Sequence, residues 1–479
     1  MEETILRFRY NIYRESKLKA RLCQIGICIG VIAVIFATAW WIIKTDGVDV
    51  INNVIASFVG VAALFVVAQL VVWILHHNED KNKVSYRNQD MWAQYGKRYR
   101  EIFAMNNSQF VVYCEPLFYA KDAQKIVVKD DPKNFFQLDP YIKMHCTTLL
   151  EAHAMSNKLD SVTVRLTDFE APTEANGQVA TIYSGRSSYL AHLLTNRALD
   201  YFIEGDLSVR KLYENDKTLR PLHRAMLSNH FGVNALVFLK KGEDKDGYLL
   251  LPHRKDNATV AKNSLTASIA TRLEMPGDTF PKEYEDHMTR AYIEEGCIRD
   301  NIAKSIWVSQ AWLDKKEKEF AAKNERFMDI HFLGLSRDIY EGGKPTLFYV
   351  VHLDATHKEY ETERAEFIRI KKEKNQKKRK EVSYYRLLEP THSIDEVEKV
   401  HIAEWSSVNM QAIKDCKTGM PIEPEKTIHD IRLDKALLTF TDEQEKCYKA
   451  PFEQNLISNF LFYRNSRLEE KGEKSLIIV

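Results

Sequence analysis

Val233-Asn234-Ala235-Leu236-Val237-Phe238-Leu239-Lys240 is followed by the polar turn Gly242–Gly247 and then by Tyr248-Leu249-Leu250-Leu251-Pro252. Two short apolar runs separated by a glycine-bounded polar segment read as a strand, its turn and a returning strand. A second pair, Phe332–Leu335 and Leu347–Leu353, turns through Glu341-Gly342-Gly343-Lys344-Pro345. Upstream, Gln109–Cys114, Ser161–Leu166 and Val179–Tyr183 are rich in Val, Ile, Thr and Tyr and read as strands. Helical stretches are expected at Asp139–Ser156, Ser188–Phe202 and Lys282–Glu295, and residues 317–324 read as a charged helix or loop. Residues 371–380 hold seven basic side chains in ten, which suits a solvated, mobile insertion within 362–381 or contact with lipid headgroups or a polyphosphate.

The first 76 residues differ from the rest. Leu22–Ile43 and Val50–Leu75 carry no charged residue, and each is long enough to cross a bilayer as a helix. The six-residue linker Lys44–Asp49 joins them into an expected hairpin. Basic residues flank both outer ends, which predicts both termini in the cytoplasm. The first run continues through Trp40-Trp41-Ile42-Ile43 and exceeds a signal-peptide core. Gly60 and Gln69 in the second run fit either packing within the hairpin or association between copies.

Composition excludes several classes. Of 479 residues, 68 are Lys or Arg and 67 Asp or Glu, a net charge of +1 that argues against a protein coating nucleic-acid polymers. Hydrophobic residues at 45% argue against wholesale disorder. The seven cysteines form no CxxC pair, so neither a disulfide framework nor a zinc cluster of cysteines is expected. No Walker A, GxGxxG, GxSxG or HExxH motif occurs.

One passage carries chemistry: Pro276-Gly277-Asp278-Thr279-Phe280-Pro281-Lys282-Glu283, then Arg290-Ala291-Tyr292-Ile293-Glu294-Glu295-Gly296. It resembles a Nudix box, a loop–helix unit whose glutamates hold Mg²⁺ against a diphosphate. Gly277 and Glu283 match in identity and spacing. Arg290, Glu294 and Glu295 match if one residue is deleted before the arginine, and Ala291 stands where the pattern has Glu. Two apolar spans followed by such a domain are similar to the two-transmembrane Nudix effectors of CBASS antiphage systems. That resemblance implies an effector activated by a cyclic nucleotide from a partner nucleotidyltransferase. It also implies a homo-oligomer that disrupts the inner membrane and causes abortive infection.

The expected fold is therefore α+β. It has a cytoplasmic segment at 1–21, a transmembrane hairpin at 22–76 with helices 22–43 and 51–75, and a helical connector at 77–107. An α/β extension at 108–229, a Nudix-like mixed-sheet domain at 230–463 and a tail at 464–479 follow. The expected location is the inner membrane, multi-pass. Candidate nucleotide contacts are Arg186, Arg197, Arg254, Gly277 and Arg290. Arg186 lies in Ser184-Gly185-Arg186-Ser187-Ser188, which can cap the helix holding His192 and Arg197 and leave N–H groups for an anion. Two other readings stand beside the effector. One is a membrane-anchored hydrolase of nucleoside diphosphate derivatives, with Mg²⁺ on Glu283, Glu294 and Glu295. The other is a scaffold with no nucleotide affinity.

Overall fold

The computed structural model describes residues 94–96, 98–105, 108–151, 162–205, 207–214, 216–255, 263–273, 297–381, 397–412 and 436–470. The chain divides into two compact units. Met1–Ser85 with Asp139–Met155 form one, of which α1 (Pro140–Met144) and α2 (Cys146–Glu151) are described. Pro140 opens α1, and the Asp139 carboxylate accepts the Tyr141 N–H at 2.8 Å. Such a start satisfies one of the orphan donors of a first turn.

The second unit, Tyr86–Leu138 with Ser156–Val479, is built on an eight-stranded sheet. Its strands are β1 (Arg100–Met105), β2 (Ser108–Tyr119), β8 (Gly232–Lys241), β9 (Asp244–Arg254), β10 (Ile269–Arg272), β11 (Met328–Asp338), β12 (Lys344–Leu353) and β13 (Val397–Glu404). The order is β1-β2-β11-β12-β8-β9-β13, with β10 paired to β8. β12 runs parallel to β8, and the other pairs are antiparallel. A parallel neighbour needs a long crossover. Here α5 (Cys297–Ile306) and α6 (Gln310–Ala321) lie in that connection.

Alternation along β8 explains its burial. Val233, Ala235, Val237 and Leu239 face a core that includes Ile298, Ile302 and Ile306 of α5 and Leu313 of α6. Leu236 and Phe238 face the opposite core, with Leu456, Ile457 and Phe460 of α8 (Gln454–Glu470). A strand covered on both faces is apolar almost throughout, as 233–239 is. Truncating one of these side chains to alanine costs about 2–5 kcal/mol.

Three smaller sheets surround this one. β3 (Lys125–Phe135), β4 (Val162–Glu170) and β5 (Val179–Ser188) form one in the order β3-β5-β4, and α3 (Tyr189–Leu194) leaves directly from β5. β6 (Phe202–Glu204) and β7 (Leu207–Ser208) form a hairpin before α4 (Val209–Tyr213). β14 (Asn409–Ala412), β15 (Ala436–Thr441) and β16 (Cys447–Ala450) make the last sheet. α7 (His357–Glu381) takes up the basic run as one long helix rather than a loose insertion. Tyr360 anchors it, fully buried, with its hydroxyl donating to the Ile306 carbonyl at 2.7 Å.

The structure corrects the expected fold and location. It is mixed α/β with several sheets, and among the described residues no helix is long and apolar enough to cross a membrane. The longest described helix, α7, is highly charged, and the apolar runs of this region are strands of about ten residues sealed inside the protein. The expected spans at 22–43 and 51–75 lie outside the described residues, and a multi-pass inner-membrane placement finds no support. The expected helical connector instead holds a strand, β1, at its end. The expected helix at 139–156 is two short ones, and that at 188–202 shrinks to six residues.

Gly334 marks a close contact in the main sheet. It sits at a bulge of β11 with φ +149°, and a Cβ there would strike the Phe118 carbonyl and come within 2.8 Å of the Phe462 ring. Gly334→Ala is therefore expected to destabilise the protein by about 1–3 kcal/mol. A urea denaturation midpoint equal to wild type would contradict this.

Candidate functional site

Four backbone bonds assemble the site where the small sheet meets the start of β8. Leu166 N–H bonds to the Asn229 carbonyl and Phe231 N–H to Val164, while Leu273 N–H bonds to Phe231 and Val164 N–H to Leu273. These bonds hold residues 229–231 between β4 and the end of β10. They also bring α3 over His230, because α3 continues from β5. Ser188 starts α3 by accepting the Ala191 N–H at 3.0 Å. Tyr189 and His192, three apart on the helix, lie on one face.

The result is a cluster of three rings with a guanidinium against it. The His192 and His230 rings stack with centroids 3.6 Å apart and planes 20° from parallel. Tyr189 lies beside this pair, 6.0 Å from His192 and 6.3 Å from His230, its plane 10° from that of His230. The Arg272 guanidinium, on the last residue of β10, sits 4.2 Å from the Tyr189 ring centre. A cation over an aromatic face is attracted by the ring quadrupole, and more strongly where water is excluded. His230 is buried, and its Nδ1 makes no hydrogen bond among the described residues.

A buried ion cluster adjoins these rings. Glu341 binds Arg197 at 2.7 Å and Lys344 at 2.9 Å, and all three side chains are at most 10% exposed. Gly342 and Gly343, both with positive φ, form the turn that carries Glu341 back to β12. Asn196 fixes the arrangement by donating to the Glu341 carbonyl at 2.8 Å and to Asn229 Oδ1 at 3.0 Å.

Electrostatics here favour an anion. Burial first, and then His192, Lys344, Arg272 and Arg197, push the His230 imidazole well below its ordinary range, so it is neutral at pH 7. Burial also lowers the Arg254 guanidinium, Glu453 opposes that, and Arg197 lowers it further. Arg165, bridged through its backbone to His230, is lowered to about 10 by burial, and its Nε makes no hydrogen bond among the described residues. Burial alone would raise Glu341, but Arg197 and Lys344 outweigh it and hold the carboxylate ionised.

Of the residues singled out in the sequence, Arg197 and Arg254 reach this region. Arg186 does not serve it: both terminal nitrogens donate to Asp130 at 2.7 Å, which ties β5 to β3. The serines around Arg186 lie in or end β5, and the helix they start has six residues. Gly277, Arg290, Glu283, Glu294 and Glu295 lie outside the described residues. Tyr189, His230, Arg272 and Lys344 were not singled out. The usable signals were the tyrosine and histidine three apart at 189 and 192, and an arginine just before Gly277. No family model matches the chain, and no curated protein matches it.

Asp338 gives the cluster a pH dependence. Burial, then the charge of Glu341, raises its carboxyl from an ordinary 3.8 to about 7. The folded state thus holds this proton more tightly than the unfolded chain. The resulting stability is complete below about pH 4 and is lost as pH rises through 7. Asp338→Asn keeps an acceptor for the Tyr340 and Glu341 N–H groups. Its melting temperature should therefore gain on wild type steadily between pH 4 and 8, whereas a constant difference would exclude this coupling.

Proposed function

We propose that this chain is a nucleotide receptor that binds a cyclic nucleotide at the cluster of Tyr189, His192, His230, Arg272, Arg197 and Lys344. The observation that supports this best is the cluster of Arg272, Tyr189, His192 and His230 set beside buried cations. A nucleotide presents two surfaces, a flat base and charged phosphates. Aromatic rings accept the first, and arginine forks accept the second. The box-like passage begins within five residues of Arg272, at Gly277. Its likeness to CBASS effectors suggests a cyclic nucleotide made by a partner nucleotidyltransferase, in an antiphage response.

Receptor action requires differential affinity. The nucleotide changes the assembly of copies only if it binds the assembled state more tightly than the free one. The glutamates that would hold Mg²⁺ lie outside the described residues, and no step here depends on that ion.

Calorimetric titration of the full chain with cyclic di- and trinucleotides tests the reading, with Mg²⁺ present and absent. Stacking on an aromatic side chain is worth about 1–3 kcal/mol per base. Tyr189→Ala should therefore weaken binding by roughly 5- to 150-fold, and Arg272→Ala should weaken it comparably. Lack of binding by wild type to every cyclic nucleotide would sink the proposal. Mg²⁺-dependent breakdown of the nucleotide, lost on replacing Glu294 and Glu295 by Gln, would replace the receptor with a hydrolase.

A further inference from the structure

The far end of β12 carries a second group of donors. Asp329 and His331 alternate on β11, so both project from one face of the sheet. Asp329 is in register with His352 on β12. One ring nitrogen of each histidine and one carboxylate oxygen of Asp329 all lie within 4.8 Å of one another. His331 Nε2 is already 3.0 Å from Asp329 Oδ2.

An Asp–His pair at a surface is by itself ordinary and worth little. His352 is what sets this one apart. Its Nε2 lies 2.8 Å from Oδ1 of Asp246, a carboxylate only 3% exposed. Its ring stacks on Phe238, which is fully buried, at 5.6 Å and 20°. With Nε2 donating to Asp246, the lone pair falls on Nδ1, which is buried and makes no hydrogen bond among the described residues. A histidine held by a carboxylate through one nitrogen, with the other nitrogen left for a ligand, is the usual outer arrangement around a metal.

We propose that Asp329, His331 and His352 bind one divalent first-row transition-metal ion, with Zn²⁺ the favoured occupant, and that Asp246 positions His352. Two imidazoles and a carboxylate suit Zn²⁺, whereas Mg²⁺ and Ca²⁺ take oxygen donors. Donors in a tetrahedral zinc site lie about 3.3 Å apart, given bonds of about 2.0–2.2 Å. One pair already meets that spacing. The others close by at most about 1.5 Å, through rotation of His331, which is 54% exposed, and of Asp329, which is 31% exposed. Its exposed side leaves room for water or another ligand as the fourth partner. Lys344 and His352 are eight residues apart on one strand, about 26 Å, so this site is separate from the nucleotide cluster and independent of that reading.

The test uses the full chain stripped with a chelator, then titrated with Co²⁺ followed by d–d absorption, and with Zn²⁺ in competition. One saturable equivalent is expected, and excess Mg²⁺ should not displace it. His331→Ala changes an exposed side chain, so its circular dichroism and melting temperature without metal should match wild type. It should bind at least tenfold more weakly. Asp246→Asn should lose about 10- to 100-fold. Nucleotide affinity should be unchanged in His331→Ala. Absence of saturable Zn²⁺ binding by wild type would overturn the proposal, as would equal binding by wild type and His331→Ala.

Discussion

A strand buried on both faces can exist only if both its edges and both its surfaces are covered. β8 imposes that requirement on the second unit. Its N–H and C=O groups are taken by β12 on one side and by β10 and β9 on the other. Its alternating side chains need helices on both surfaces, which α5 and α6 provide on one and α8 on the other. The parallel pairing with β12 forces the chain to travel away and return. β10 competes with β9 for the first half of β8, so β9 departs there and Arg254 and Arg272 end on neighbouring strands. The candidate site follows from this splaying at the start of β8.

Charge then decides what that end of the sheet tolerates. Burying a charge without a partner is costly, and breaking a buried pair typically costs about 3–5 kcal/mol. Glu341 meets the demand of two cations at once, Arg197 and Lys344. Asp130 does the same for Arg186 in the small sheet. The two arrangements differ in what remains. Around Arg186 one guanidinium meets one carboxylate in a closed fork. Around Glu341 the group also includes Arg272 and Arg254, the latter facing Glu453, and a neutral histidine lies among them.

Patterns set by local covering were legible before the structure; convergence over long separations was not. The strand pair at 233–252 and the pair at 332–353 were visible because burial makes them apolar runs. Their ends were placed short because the flanking residues are polar. The turn after β8 is tighter than Gly242–Gly247, because Asp244 already pairs with Lys241. β1 and α7 escaped because neither offers an apolar period, and both depend on neighbours found elsewhere in the chain. Arg197 and Arg254 lie in the candidate site, whereas Arg186 is taken up by a partner 56 residues upstream, where no local pattern points. The ring cluster joins residues 189, 192, 230 and 272, and only the first two share an element. The apolar stretches before residue 76 led the reading toward a membrane hairpin, whereas the described residues spend their apolar runs on sheet strands and core-facing helices.

This distribution of charge bears on the kind of anion the cluster suits. A singly charged ligand would have to compete with Glu341 for Arg197 and Lys344, both already held at hydrogen-bond distance. Displacing the carboxylate would leave it buried among fewer cations, which cancels much of the gain. A ligand with several phosphates could also meet Arg254 and Arg272, which belong to the same group of cations as Arg197 and Lys344. A flat base adds a contribution that is insensitive to this competition, since stacking on an aromatic face does not draw on Arg197 or Lys344. A phosphate-rich ligand with an aromatic ring therefore fits this arrangement better than either a lone phosphate or an uncharged base.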